Sequence, residues 1–182
     1  MIAIPTLILC AAAFVFALMR RGNKWVPLAL LCSAAGDYAG STGHFYAQMG
    51  LFAVALACYI TSLAPYARLT AARMRPLILI GMVLLAGFGY LAAHIGPIKE
   101  LIAVSLYATL LLTLLATALV QHRPHWGWLA VAAALFVLSD ALLGYSRFVA
   151  PLPSADWWVL PPYYAAQTLF AAFSLFARSD RR

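Results

Sequence analysis

The sequence predicts an all-α protein: one polytopic transmembrane helix bundle of seven helices that takes in residues 1–182 as a single domain. Three observations carry that expectation. Hydrophobic residues make up 65% of the chain and charged residues only 9%, whereas an ordinary soluble domain has about a quarter of its residues charged. The apolar residues gather into seven runs separated by short polar, basic or proline-containing gaps. Lysine and arginine then alternate between the two sides that those seven runs define.

The runs follow in order. Ile2 to Met19 precedes Arg20, Arg21 and Lys24. It lacks the basic start and small-residue cleavage site of a signal peptide, so it is expected to be a membrane helix. Pro5 falls in its first turn, where proline is tolerated. Trp25 to about Gly40 is the second and carries Asp37. A polar gap from Ser41 to Gln48 leads to the third, Met49 to Ala64, closed by Pro65 and a basic loop with Arg68, Arg73 and Arg75. Leu77 to about His94 is the fourth, and Gly96-Pro97 breaks it. Glu100 to Val120 is the fifth. The sixth, Trp126 to about Ser146, carries Asp140. A proline- and tryptophan-containing gap from Arg147 to Leu160 precedes the seventh, Pro161 to Ala177. Several runs are shorter than the roughly 20 residues of an average span, which local thinning or little tilt accommodates.

The loop charges orient the bundle. One side receives ten of the twelve basic residues, and the other only Lys99 and Arg147. Basic loops stay in the cytoplasm, so the N-terminus is expected outside and the C-terminus inside, in a bacterial inner membrane. Trp25, Trp126 and Trp128 then fall at cytoplasmic helix ends and Trp157 and Trp158 at an outer one, as interfacial belts require. The net charge of +7 is spread over these gaps. It therefore points to lipid headgroups and excludes a nucleic-acid patch. Cys10, Cys32 and Cys58 lie inside apolar runs without CxxC spacing and read as small buried residues. The four histidines are scattered without ligand spacing, so no metal and no cofactor is expected.

Two acids stand inside apolar runs, and an intramembrane carboxylate is costly enough to be a functional hypothesis. Asp37 lies twelve residues past Trp25 and Asp140 fourteen past Trp126, so both sit roughly 18–21 Å along parallel helices. Tyr107, Gln167, Tyr163 and Tyr164 fall near that level, beneath a rim with His44, His94 and Arg147. The expectation is a shared polar cavity. Two carboxyl groups brought close there share one proton and can act as acid and as base or charge stabiliser. Isolated structural hydrogen bonding is the alternative for each acid, as ordinary interfacial belts are for the tyrosines. Ser33 and Ser139 have no neighbouring base and no nucleophile-elbow pattern, which disfavours a serine hydrolase.

These residues carry a resemblance. The run Leu31-Cys32-Ser33-Ala34-Ala35-Gly36-Asp37, then Phe136-Val137-Leu138-Ser139-Asp140 with Arg147-Phe148 and Pro151, then Tyr163-Tyr164-Ala165-Ala166-Gln167, resembles the YhhN family of lysoplasmalogenase-like membrane proteins. The resemblance implies a multi-helix bundle, usually of eight helices, with Ile2 to Met19 matching the family's second. It implies hydrolysis of the vinyl ether of a lysoplasmalogen to a fatty aldehyde and a glycerophospho-ethanolamine or -choline. Asp37 and Asp140 would be the family's catalytic pair, and the partner a membrane lipid or lysophospholipid. Two positions depart from the pattern. Ile4 replaces a lysine before Pro5, and Leu56 replaces a histidine three residues before Tyr59.

The implied chemistry suits the two acids. Protonation of the vinyl ether at carbon gives an oxocarbenium ion, water adds, and the hemiacetal collapses. Asp140 is expected to be the acid and Asp37 the stabiliser, with Tyr107, Tyr163, Tyr164, Gln167, Arg147 and His44 around the substrate. Rival readings are a proton-coupled carrier, although the chain has no internal repeat, and a non-catalytic lipid-binding protein. The absence of a lysine in the seventh run disfavours a retinal photoreceptor.

Overall fold

The computed structural model describes residues 3–20, 24–122 and 126–176. Arg21, Arg123, His125, Ala177, Arg178, Arg181 and Arg182 lie outside them. The described residues form seven α-helices and no strand: α1 Ala3–Arg20, α2 Trp25–Ser41, α3 Phe45–Leu63, α4 Ala71–Ala92, α5 Ile98–Leu119, α6 Trp126–Phe148 and α7 Ala155–Phe176, with one 3-10 turn at Ala64–Tyr66. Helices α3 to α6 are each long and apolar enough to cross a membrane. Large apolar side chains point outward along the bundle, among them Leu79, Val83, Ile98 and Leu106, each at least 65% exposed. Lipid is the medium that accepts such a surface, and the chain is an integral membrane protein.

Three helices, α3, α4 and α7, begin about a turn or more before their apolar runs. The gap before α3 shrinks to Thr42–His44, because Gly43 takes a positive φ of 81° and lets the His44 amide return to the Ala39 carbonyl at 2.9 Å. Helix α4 starts at Ala71, so Arg73 and Arg75 belong to its first turns and not to a loop. The Arg73 guanidinium donates to the Leu119 and Gln121 carbonyls and lies 4.5 Å over the Trp126 ring. Helix α7 starts at Ala155 and takes in Trp157, Trp158 and both Pro161 and Pro162. The prolines cannot donate to the turn behind them. In that turn the Val159 carbonyl receives the Ser139 hydroxyl at 2.9 Å.

Sequence neighbours run antiparallel, and each end of the bundle is tied. At the basic end the two loops on either side of α4 and α5 meet. The Arg68 amide donates to the Val120 carbonyl at 2.9 Å and the His122 amide to the Tyr66 carbonyl at 3.0 Å. Between them the buried Gln121 amide reaches the Leu63 and Thr117 carbonyls. At the opposite end the Arg147 guanidinium covers the Phe45 ring at 3.6 Å. On α5, Ser105, Thr109, Thr113 and Thr117 each donate to the carbonyl four residues back. That satisfies hydroxyls that face the apolar medium.

The core is built by α2, α3, α5, α6 and α7 around Leu30, Leu56, Tyr59, Leu114, Phe136 and Phe170. Leu56 is fully buried there, while Ile4 is 53% exposed on α1. The two departures from the family pattern thus occupy different settings: one is core, the other faces outward. Helix α4 buries no residue and leans on the bundle from one side.

Candidate active site

Each aspartate is held by hydroxyls from other helices. Asp37, 6% exposed, accepts the Thr6 hydroxyl at 2.8 Å and the Tyr163 hydroxyl at 3.0 Å, both on Oδ2. This ties α1 and α7 to α2. Asp140 on α6 accepts the Tyr107 hydroxyl of α5 at 2.6 Å on Oδ2. In both, the Oδ2 atom accepts, which either a carboxylate or the carbonyl oxygen of a carboxylic acid does. The expected shared proton has no direct link to travel: among the described residues no hydrogen bond joins the two acids.

Glycine explains how closely α3 packs on α2. A side chain at Gly36 would start 3.0 Å from the Phe52 ring, so only a bare backbone lets α3 pack this closely beside Asp37. Phe52, Phe136 and Tyr163 then meet edge to face with centroids 5.8 to 6.4 Å apart. Such pairs add about 0.5–1.5 kcal/mol beyond area burial. Phe52 lines a cavity whose wall includes neither Asp37 nor Tyr163.

That cavity, about 440 Å³, is walled by α3, α4, α5 and α6, and it includes Asp140 and Tyr107 but not Asp37. Small-molecule sites span roughly 300–1,000 Å³. Much of its wall is apolar, with Leu84, Leu111 and Leu112. Asp140 and Tyr107 face each other in it. Gln48, Phe45 and Arg147 line it near the start of α3 and the end of α6. The arrangement fits a single-chain amphiphile: tail on the leucines, reactive bond at the carboxyl, charged group at the guanidinium.

The remaining sequence candidates fall elsewhere. Gln167, fully buried, accepts the Tyr59 hydroxyl on Oε1, and Tyr59 stacks on Phe170 at 4.3 Å. Among the described residues the buried Gln167 Nε2 and Ser33 Oγ atoms have no hydrogen-bond partner. Tyr164 is half-buried beside the Tyr163 ring. His44 is exposed, pairs through Nδ1 with the Thr42 hydroxyl, and stands outside the cavity wall. Among the described residues no three His, Cys, Asp or Glu side chains group as metal ligands. Sequence reasoning missed Thr6 and Phe52, and took Tyr59 only as the motif tyrosine that follows Leu56. Thr6 left a signal, being the sole hydroxyl residue between Ile2 and Met19. A hydroxyl there needs a partner on another helix or on its own backbone.

The YhhN family profile matches residues 1–174. A lysoplasmalogenase of Mycobacterium bovis is 33% identical over 181 residues, covering 94% of this chain and 68% of that protein. Lysoplasmalogenase TMEM86B of Rattus norvegicus is 33% identical over 175 residues, 92% of this chain and 70% of that protein. The Homo sapiens protein of the same name is 31% identical over 174 residues, 92% and 72% of the two chains. No solved structure matches the chain.

Proposed function

The chain belongs to the YhhN family, and from that premise we propose that it is a membrane hydrolase that cleaves the vinyl ether bond of a lysoplasmalogen or a related lysolipid. One observation carries the proposal: the largely apolar cavity whose wall includes the carboxyl of Asp140 and, two turns on along α6, the guanidinium of Arg147. Relatives that carry the name lysoplasmalogenase supply the reaction, and the cavity supplies a place for it.

In this reading Asp140, as the carboxylic acid, gives its proton to the vinyl carbon next to the tail. The ether-bearing carbon becomes an oxocarbenium ion. Tyr107 keeps its hydrogen bond on Asp140 Oδ2, and that bond strengthens as the carboxyl becomes a carboxylate. Asp37 stabilises the developing cation electrostatically. Water adds to the cation, its proton returns to Asp140, and the hemiacetal collapses to a fatty aldehyde and a glycerophospho-alcohol. Arg147 takes the phosphate. The basic end of the bundle faces the cytoplasm of a bacterial inner membrane. The termini then lie as the loop charges suggest, N-terminus outside and C-terminus inside, and the Arg147 end of the cavity lies toward the outer leaflet.

The test is mass spectrometry of lipids after incubation with purified protein, with lysoplasmalogen beside an ester lysophospholipid. The expected result is fatty aldehyde from the vinyl ether and no fatty acid from the ester. Fatty acid release, or no product from either lipid, overturns the proposal.

A further inference from the structure

Asp140, Gly144 and Arg147 follow one another at i, i+4 and i+7 on α6, and all three line the cavity. At 1.5 Å per residue, Gly144 stands about 6 Å and Arg147 about 10 Å above the acid along one face of the helix. A glycerophosphate reaches from its first oxygen to its phosphorus through five bonds, roughly 6 Å when extended. With one hydrogen bond of about 2.8 Å at each end it spans the two charged residues. The middle carbon of the glycerol then lies level with Gly144.

At that level α4 crosses α6. A side chain at Gly144 would begin 3.1 Å from Cδ2 and 3.8 Å from Cδ1 of Leu91. The Leu91 methyls therefore close over the glycine. A chain attached to the first glycerol carbon runs along the apolar wall. One attached to the middle carbon and pointing at α6 runs into the seam where Leu91 meets Gly144.

Resting on the hydrolase reading above, we infer that Leu91 and Gly144 form a filter for the middle glycerol position, which admits a free hydroxyl and rejects an acyl group. The filter makes the enzyme selective for single-chain lipids by sterics on one face of α6. Headgroup chemistry plays no part in it. Helix α4 buries no residue, so trimming Leu91 opens the seam without removing a core contact.

The test uses three 1-alkenyl glycerophosphocholines, with hydroxyl, acetyl or a long acyl chain at the middle carbon. It measures the ratio of kcat/KM for the acetyl lipid to that for the hydroxyl lipid. A shape-selective apolar contact is worth about 10–200-fold. L91A is expected to raise the ratio about tenfold or more and to admit some long acyl substrate, while L91F lowers the ratio. L112A removes the same volume elsewhere in the wall and is expected to leave the ratio where it was. An unmoved ratio in both Leu91 variants refutes the filter alone, provided the hydroxyl lipid is cleaved. An equal rise with L112A refutes it too. No product from any of the three lipids refutes the hydrolase reading and the filter with it.

Discussion

Asp37 offers a substitution that separates charge from structure. Thr6 and Tyr163 both donate to one oxygen, Oδ2. In D37N an asparagine carbonyl placed there accepts both hydroxyls, so the tie between α1, α2 and α7 survives and only the charge is lost. Unit charges about 8 Å apart at an effective dielectric of about 20 interact by about 2 kcal/mol. Removing that attraction from the oxocarbenium ion lowers kcat roughly 30-fold. D37A instead strands two buried hydroxyls, at about 1–2 kcal/mol each. Its melting temperature falls by on the order of 10 °C. The assay is thermal unfolding in detergent beside aldehyde release, for both variants. D37N that melts as low as D37A refutes the assigned hydrogen bonding. D37N with native melting and full kcat refutes the electrostatic role of Asp37.

Three further outcomes are expected. Y107F removes the 2.6 Å bond to Asp140, a charge-assisted bond worth about 1.5–3 kcal/mol. The kcat for aldehyde release falls roughly 10–100-fold with little change in KM. R147A leaves the acid in place but removes the cation two turns along α6, so KM for the phosphate-bearing lipid rises about tenfold or more while kcat holds within a few-fold. G36V drives a branched side chain into the Phe52 ring, whose nearest atom would stand 3.0 Å from its first carbon. Overpacking of that kind costs about 1–3 kcal/mol, and thermal unfolding reads it as a lower midpoint.

Much of this arrangement was legible in the sequence because depth along a helix is nearly one-dimensional. Counting from Trp25 and Trp126 put Asp37 and Asp140 at one level, and counting along α5 put Tyr107 there too. The structure joins Tyr107 to Asp140 and Tyr163 to Asp37. Rotation about each axis, and which helices touch, cannot be counted in that way. Thr6 meets Asp37 across the neighbouring α1–α2 pair, where the short loop specifies the pairing but not the rotation, and α1 also reaches α7, a pairing that loop length does not specify. His44 and Arg147 were both placed at the rim. Arg147 lines the cavity, while His44 caps its own loop against Thr42. Gln167, level with the acids, meets Tyr59 instead of a carboxylate. The early starts of α3, α4 and α7 have a related cause. Hydropathy marks the lipid-facing stretch, whereas Arg73 and Phe45 extend their helices through side-chain contacts at its ends, and α7 opens with the Trp157 amide bonded to the Ser154 carbonyl.

The central claim is that Asp140 delivers the proton, and D140N tests it most directly. Asparagine keeps the size of the side chain and an oxygen for the Tyr107 hydroxyl, but it has no acidic proton to give. Aldehyde release from lysoplasmalogen, followed by mass spectrometry with purified and correctly folded D140N, is expected to fall by at least about a thousandfold, within the usual reach of general acid catalysis. Release at the native rate contradicts the account.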